Sequence, residues 1–228
     1  MNLYIIVEGD RTELSVYPSW IAQLAPQLSR IDDAWEVADN NYYLFSGGGI
    51  PHIYNHVVHA VTDINTINAQ KARGYDYLLV CLDTENSNRA AIEQRIQNEL
   101  AAAGVSLTGT QLVVCEQQVC METWFLGNRH IFKSNPQSAY RRNCISYYDV
   151  STENPELMGT NDPELNRAHF HHRYLKEMFK ERHMQYAKNN TTEVQKESYL
   201  KQLIARYTET GHLSTFGRWY EFITSLKP

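Results

Sequence analysis

The 228-residue chain is 43% hydrophobic and 21% charged, with a formal net charge of −5. That balance suits a globular protein with a sizeable core, and no run approaches the roughly 20 apolar residues that span a bilayer. No basic-then-apolar leader opens the chain. Cys81, Cys115, Cys120 and Cys144 lack C-x-x-C spacing, so reduced thiols in a cytoplasmic protein are expected.

Leu3–Val7 is an apolar run that reads as a buried strand. Thr12 is a candidate cap for a helix running to about Ser29, with Leu14, Tyr17, Ile21 and Leu24 on one face. One or two short strands follow between Trp35 and Phe45, YYLF being the clearest. Ser46-Gly47-Gly48-Gly49 signals a loop. A helix is predicted from about Pro51 to Ala72. Tyr77–Leu82 is a second buried strand. Asn88–Ala103 is a helix stopped by Gly104. Gln111–Cys115 is a further strand, and Val119–Leu126 a short helix. Residues 133–165 lack a clear period, and helices are expected at about 164–187, 193–209 and 215–225. Strands alternating with helices predict a mostly parallel sheet covered on both faces. The expected organisation is an α/β core over 1–128 and a mostly helical elaboration over 129–228.

Charge divides along the same line. Residues 1–128 carry 6 Lys/Arg against 15 Asp/Glu, and residues 129–228 carry 15 against 11, with six of the nine histidines. An acidic half followed by a basic half fits a cation site on the first and a polyanion surface on the second.

In open α/β sheets, ligands collect at the carboxyl ends of the strands. The first strand here ends in Glu8-Gly9. The YLLVCL strand ends in Asp83-Thr84-Glu85. The QLVVC strand ends in Glu116, and Glu122 lies on the next helix. Such acids repel one another unless a hard divalent cation intervenes, and Mg2+ or Mn2+ prefers carboxylate oxygen and water. Asp83 and Glu85, two apart past a strand, are expected to point the same way.

These segments bear a family resemblance. VEGDRTE at 7–13 resembles the opening motif of TOPRIM domains, and is most similar to OLD-family and RloB-type nucleases. LLVCLDTEN at 78–86 resembles their strand followed by D-x-D. CMETWFLGN at 120–128 is similar to the E-x-W-F-L segment of RloB-like proteins. The resemblance covers roughly 1–128 and implies a TOPRIM-like, Rossmann-like sheet. It implies that Glu8 and Asp83 are catalytic and bind Mg2+ or Mn2+. Glu85 would join them, although it stands where the family has Asp. Glu13 and Glu122 would be further metal ligands. It also implies an anti-phage effector working beside an ABC- or AAA-type ATPase.

Phosphodiester hydrolysis would then need a cationic surface for DNA, or for RNA such as tRNA. Arg129, Lys133, Arg141 and Arg142 are the candidates, with Tyr140, Tyr147 and Tyr148 for stacking. The histidines of HFHHRYLKEMFKERH match no zinc spacing, and His52, His56 and His59 read as a helix surface. The Gly47–Gly49 loop lacks the P-loop Lys, so ATP hydrolysis is not expected. No membrane contact is expected, and a homo-oligomer is compatible with the sequence. The rival readings are a catalytically degenerate module that docks on an ATPase or on nucleic acid, and another α/β phosphate enzyme using the same acids.

Overall fold

The computed structural model describes residues 1–85 and 87–226. Asn86, the last residue of LLVCLDTEN, lies outside the described residues. The chain divides into two compact units. The first comprises Met1–Leu82, Ser87–Glu116 and the segment from Glu221 onward. The second comprises the short segment opening at Asp83 together with Gln117–Tyr220. The chain returns to its first unit at its end.

The first unit is built on strands β1 (Leu3–Val7), β2 (Ser29–Ile31), β3 (Asn41–Ser46), β4 (Tyr77–Asp83) and β5 (Gln111–Gln117), in the order β2-β3-β1-β4-β5. β1 pairs in parallel with β3 and β4, and β2 in parallel with β3. β5 runs the same way beside β4, since Gln111 N donates to Asp76 O and Thr84 N to Gln117 O, each at 2.9 Å. Parallel strands covered on both faces must be apolar throughout, and every residue of β1 is buried.

Alternation then decides which helix covers which side chain. Tyr4 and Ile6 of β1 and Leu78, Val80 and Leu82 of β4 pack with two helices, α2 (His52–Gln70) and α3 (Arg89–Ala103). Ile53, Val57, Val61 and Ile64 come from α2, and Ile92, Ile96 and Leu100 from α3. The opposite face receives α1 (Thr12–Leu24), whose Tyr17 hydroxyl hydrogen-bonds the Cys81 thiol. α1 stops at Leu24, short of the expected Ser29. Ala25 precedes Pro26, and a residue before proline avoids the helical region. Asn88 caps α3 by accepting from Ala91 N at 3.0 Å. Gly104 ends it at φ 67°, as the sequence predicts.

The second unit is helical. It contains α4 (Met121–Phe125), α5 (Ala139–Tyr147), α6 (Arg167–Glu181), α7 (Thr192–Gln195), α8 (Glu197–Thr210) and the first part of α9 (Ser214–Ser225). α5 falls inside the segment that sequence periodicity leaves without structure. Its signal is local: Ser138 caps it by accepting from Arg141 N at 3.3 Å.

The interior of this unit holds polar groups as well as apolar ones. Arg206 of α8, 1% exposed, donates to the carbonyls of Val150, Ser151 and Glu153 and to Nδ1 of His212. The buried Glu156 carboxylate accepts from Ser214 N at 2.7 Å and Thr215 N at 2.9 Å, and from both hydroxyls. It thereby caps α9 with a charge-assisted set. Among the described residues, no helix is long and apolar enough to cross a membrane.

Candidate functional site

Two short acidic clusters emerge, one in each unit. In the first, the chain leaves β1 at Val7 and turns through Glu8-Gly9 into α1. Glu8 N donates to Cys81 O at 2.9 Å, which continues the β1–β4 ladder by one residue. Glu8 O accepts from Gly49 N at 3.0 Å and from the Ser46 hydroxyl at 3.3 Å. The glycine loop after β3 is therefore tied to the turn after β1. Gly48 and Gly49 lie at φ 68° and 84°, where residues with a Cβ are strained.

The purpose of Gly9 is visible in the same turn. A Cβ there would lie 2.2 Å from Oε2 of Glu13. The V-E-G-D-R-T-E segment thus folds so that Glu13, in the first turn of α1, lays its buried carboxylate against Gly9. The helix N-terminus favours that negative charge. Glu8 is half-buried, and its charge helps burial raise the Tyr54 phenol, while Arg95, 5.7 Å from the Tyr54 ring centroid, opposes this.

In the second unit, Asp83 and Glu122 both act on Cys120. Burial raises the Cys120 thiol, and the charges of Glu122 and then Asp83 raise it further. Glu122 is 3% exposed and accepts from the Tyr186 hydroxyl at 3.0 Å. Tyr186 lies 64 residues further along the chain, and nothing in the sequence marks it as this partner. Nearby, Thr123 Oγ1 and His171 Nδ1 are 2.7 Å apart, and His171 Nε2 lies 3.0 Å from Met158 O. The Nε2 hydrogen must donate to that carbonyl, so Nδ1 accepts from the threonine. Both side chains are fully buried, so this pair orders the interior and reaches no substrate.

Several expected residues are differently disposed. Asp83 is the last residue of β4, but Glu85 does not continue the alternation. It sits in a turn at φ 44°, exposed, with its N–H donating to Val119 O at 3.1 Å. The left-handed turn ends the two-residue period on which a shared direction depended.

Arg141 is corrected as a phosphate contact. It has no exposed surface and lies between the rings of Phe132 and Tyr174, 4.6 and 4.5 Å from their centroids. Arg129 pairs with Glu209, Lys133 with Glu181 at 3.4 Å, and Arg142 donates to the carbonyls of Pro136 and Gln137. Tyr148 is turned inward, donating to Asn154 O at 2.7 Å, whereas Tyr147 is 40% exposed.

Among the described residues, no group of three or more His, Cys, Asp or Glu side chains converges as a ready-made cation cage. The donor chemistry nonetheless suits a hard cation. Glu8 and Asp83 are half-buried carboxylates, and Mg2+ is commonly held by one or two carboxylates, waters and substrate phosphate. No protein-family model matches the chain, and no curated protein or solved structure matches it.

Proposed function

We propose that the chain is a TOPRIM-like nuclease that cleaves phosphodiester bonds with Mg2+ or Mn2+ at the carboxyl-end rim of its sheet. One observation carries this reading. The connection from β1 leads through α1 to β2, on the β3 side, and that from β4 leads through α3 to β5, on the other side, so the β1–β4 boundary is the topological switch point of the sheet. Ligands of doubly wound sheets bind outside such a boundary. Here Glu8 follows β1, and Asp83 ends β4.

Glu8 and Asp83 would hold the cation. When bound, it would polarise a phosphate oxygen and lower the pKa of a coordinated water. Glu8 would also orient that water and take its proton. Glu13, resting on Gly9, would fix the entry to α1 beneath the phosphate. The resemblance of the motifs extends the proposal to an ATPase partner and to defence against phage.

Purified protein, alone and with candidate ATPases, is to be tested for Mn2+-dependent cleavage of plasmid DNA and structured RNA. Glu8→Ala and Asp83→Ala are expected to lower cleavage at least ~100-fold with unchanged melting temperature. Undiminished cleavage by both variants removes these acids from the mechanism. The exposed, left-handed Glu85 favours a second reading, a degenerate module that binds without cutting. Saturable nucleic-acid or ATPase binding with no Mn2+-dependent product selects it.

A further inference from the structure

The corner between α8 and α9 holds its backbone in an unusual shape. Gly211 ends α8 at φ 70°, where glycine is at ease. Leu213, two residues on, also has a positive φ, of 57°, and its branched side chain has no exposed surface. Such a residue is strained in the left-handed region and stays there only because its surroundings fix it. Leu213 N donates to Asn154 Oδ1 at 3.2 Å, and the Glu156 carboxylate holds Ser214 and Thr215. His212 N donates to Thr210 Oγ1 at 3.2 Å.

The His212 side chain supplies a further restraint. Arg206 Nε donates to His212 Nδ1 at 3.1 Å. The other two guanidinium nitrogens donate to the carbonyls of Val150, Ser151 and Glu153 at 2.7 to 3.2 Å. Arginine has no lone pair to offer, so Nδ1 must be the acceptor and the imidazole must be neutral. Arg206 is buried, whereas His212 is half-buried, so a proton reaches the ring without unfolding the unit. Once both ring nitrogens carry hydrogen, the acceptor is gone and two cations face each other. The buried Nε–H then loses its partner, which costs more than the bond itself was worth.

The charges around His212 come from three parts of the chain. Burial holds the imidazole below its ordinary pKa, and Arg206 of α8 and Arg129, beyond α4, reinforce this. Glu153 and Glu156 oppose it, but Glu156 already accepts from Ser214 and Thr215.

We infer that the Arg206–His212 hydrogen bond is a proton-sensitive switch on the α8–α9 corner: neutral His212 keeps the strained Leu213 turn closed, and its protonation opens the turn. The corner lies on the connection by which the chain re-enters its first unit. The switch stands apart from the nuclease proposal and needs no cleavage. Its sign follows from linkage. The folded imidazole titrates below 6.5, so the opened corner binds the proton first. The restraint is complete above pH 6.5 and weakens as pH falls below it.

The test is hydrogen exchange by mass spectrometry on the full chain at pH 7.5 and pH 5, corrected for intrinsic rates and read on peptides covering 207–217. The wild-type corner is expected to open roughly fivefold or more often at the lower pH. His212→Asn sets an amide oxygen where Nδ1 stood, an acceptor for Arg206 Nε at either pH, and is expected to keep the corner closed at both. His171 is present in both proteins, so its own titration cancels in the comparison. An NMR titration of His212 in the wild type needs no variant, and its midpoint is expected below 6.5. Wild-type exchange that ignores pH overturns the switch. So does a His212→Asn corner that opens at pH 5 as readily as the wild type, or a His212 midpoint at or above 6.5.

Discussion

The two units are stabilised by different chemistry. In the first, the interior of the sheet is apolar on both faces, and its charged groups sit where strands end. In the second, the interior is organised by buried polar groups, with Arg206, Glu156, His171 and Glu122 each holding named partners. The difference teaches where a sequence declares itself. Hydrophobic periodicity reports the first kind of core, whereas a polar network is assembled from residues far apart that carry no shared pattern.

The sharpest way to break this comparison is at Arg206. Arg206→Met keeps most of the side-chain volume but strips the carbonyls of residues 150, 151 and 153 of their donor. A loss on the order of 3–5 kcal/mol is expected in chemical denaturation, because buried acceptors left unsatisfied cost far more than the bonds are worth. A loss below about 1 kcal/mol would show that water replaces the guanidinium and that the network is dispensable.

The next effect is pH-dependent and belongs to the second unit. Burial lowers His171 from 6.5 to about 4. The unfolded chain therefore binds the proton first, so the stability of the neutral, buried imidazole is complete above pH 6.5. It is lost progressively as pH falls toward 4. The full swing is about 3 kcal/mol. Denaturant midpoints at pH 7 and pH 5 are expected to differ in the wild type. His171→Gln is expected to flatten that difference, and an unchanged pH dependence would relocate it to other groups.

Smaller effects sharpen the picture of the first unit. Asn88→Ala removes the cap of α3 and is expected to cost about 1 kcal/mol without pH dependence. Gly9→Ala is expected to cost less than about 1 kcal/mol, since the atoms in its way belong to the movable end of Glu13. Yet it must dislodge that carboxylate, so any Mn2+-dependent cleavage is expected to fall while thermal stability scarcely changes. Equal loss in Glu13→Ala and Gly9→Ala would tie the effect to the carboxylate.

Much of the parallel sheet was legible in the sequence because β1, β3, β4 and β5 carry apolar runs bounded by Gly, Asp or Glu. Asn88 and Gly104 marked α3 with its ordinary cap and stop. The three-residue β2 carries no such run, two of its residues being exposed, and the helix expected to about Ser29 overlaps only its first residue. α5 was missed because only Arg141 and Cys144 among its nine residues are buried, too few to set a period. Charge type was legible at the candidate site, but engagement was not. Arg141 looks like any exposed cation in the sequence, and only tertiary packing puts it between two rings. Glu85 likewise follows a regular strand pattern until its backbone enters the left-handed region.

α9 ends the described chain within the first unit. Phe222 stacks edge-on against Tyr77 with centroids 5.2 Å apart, and Leu226 O accepts from Gln27 Nε2 at 2.7 Å. A sheet begun by residue 3 is thus clasped by residues made more than two hundred positions later. During synthesis these clasping contacts form only after the ribosome has produced the whole of the other unit. Excising the N-terminal 128 residues for separate expression would discard the latch along with the helices.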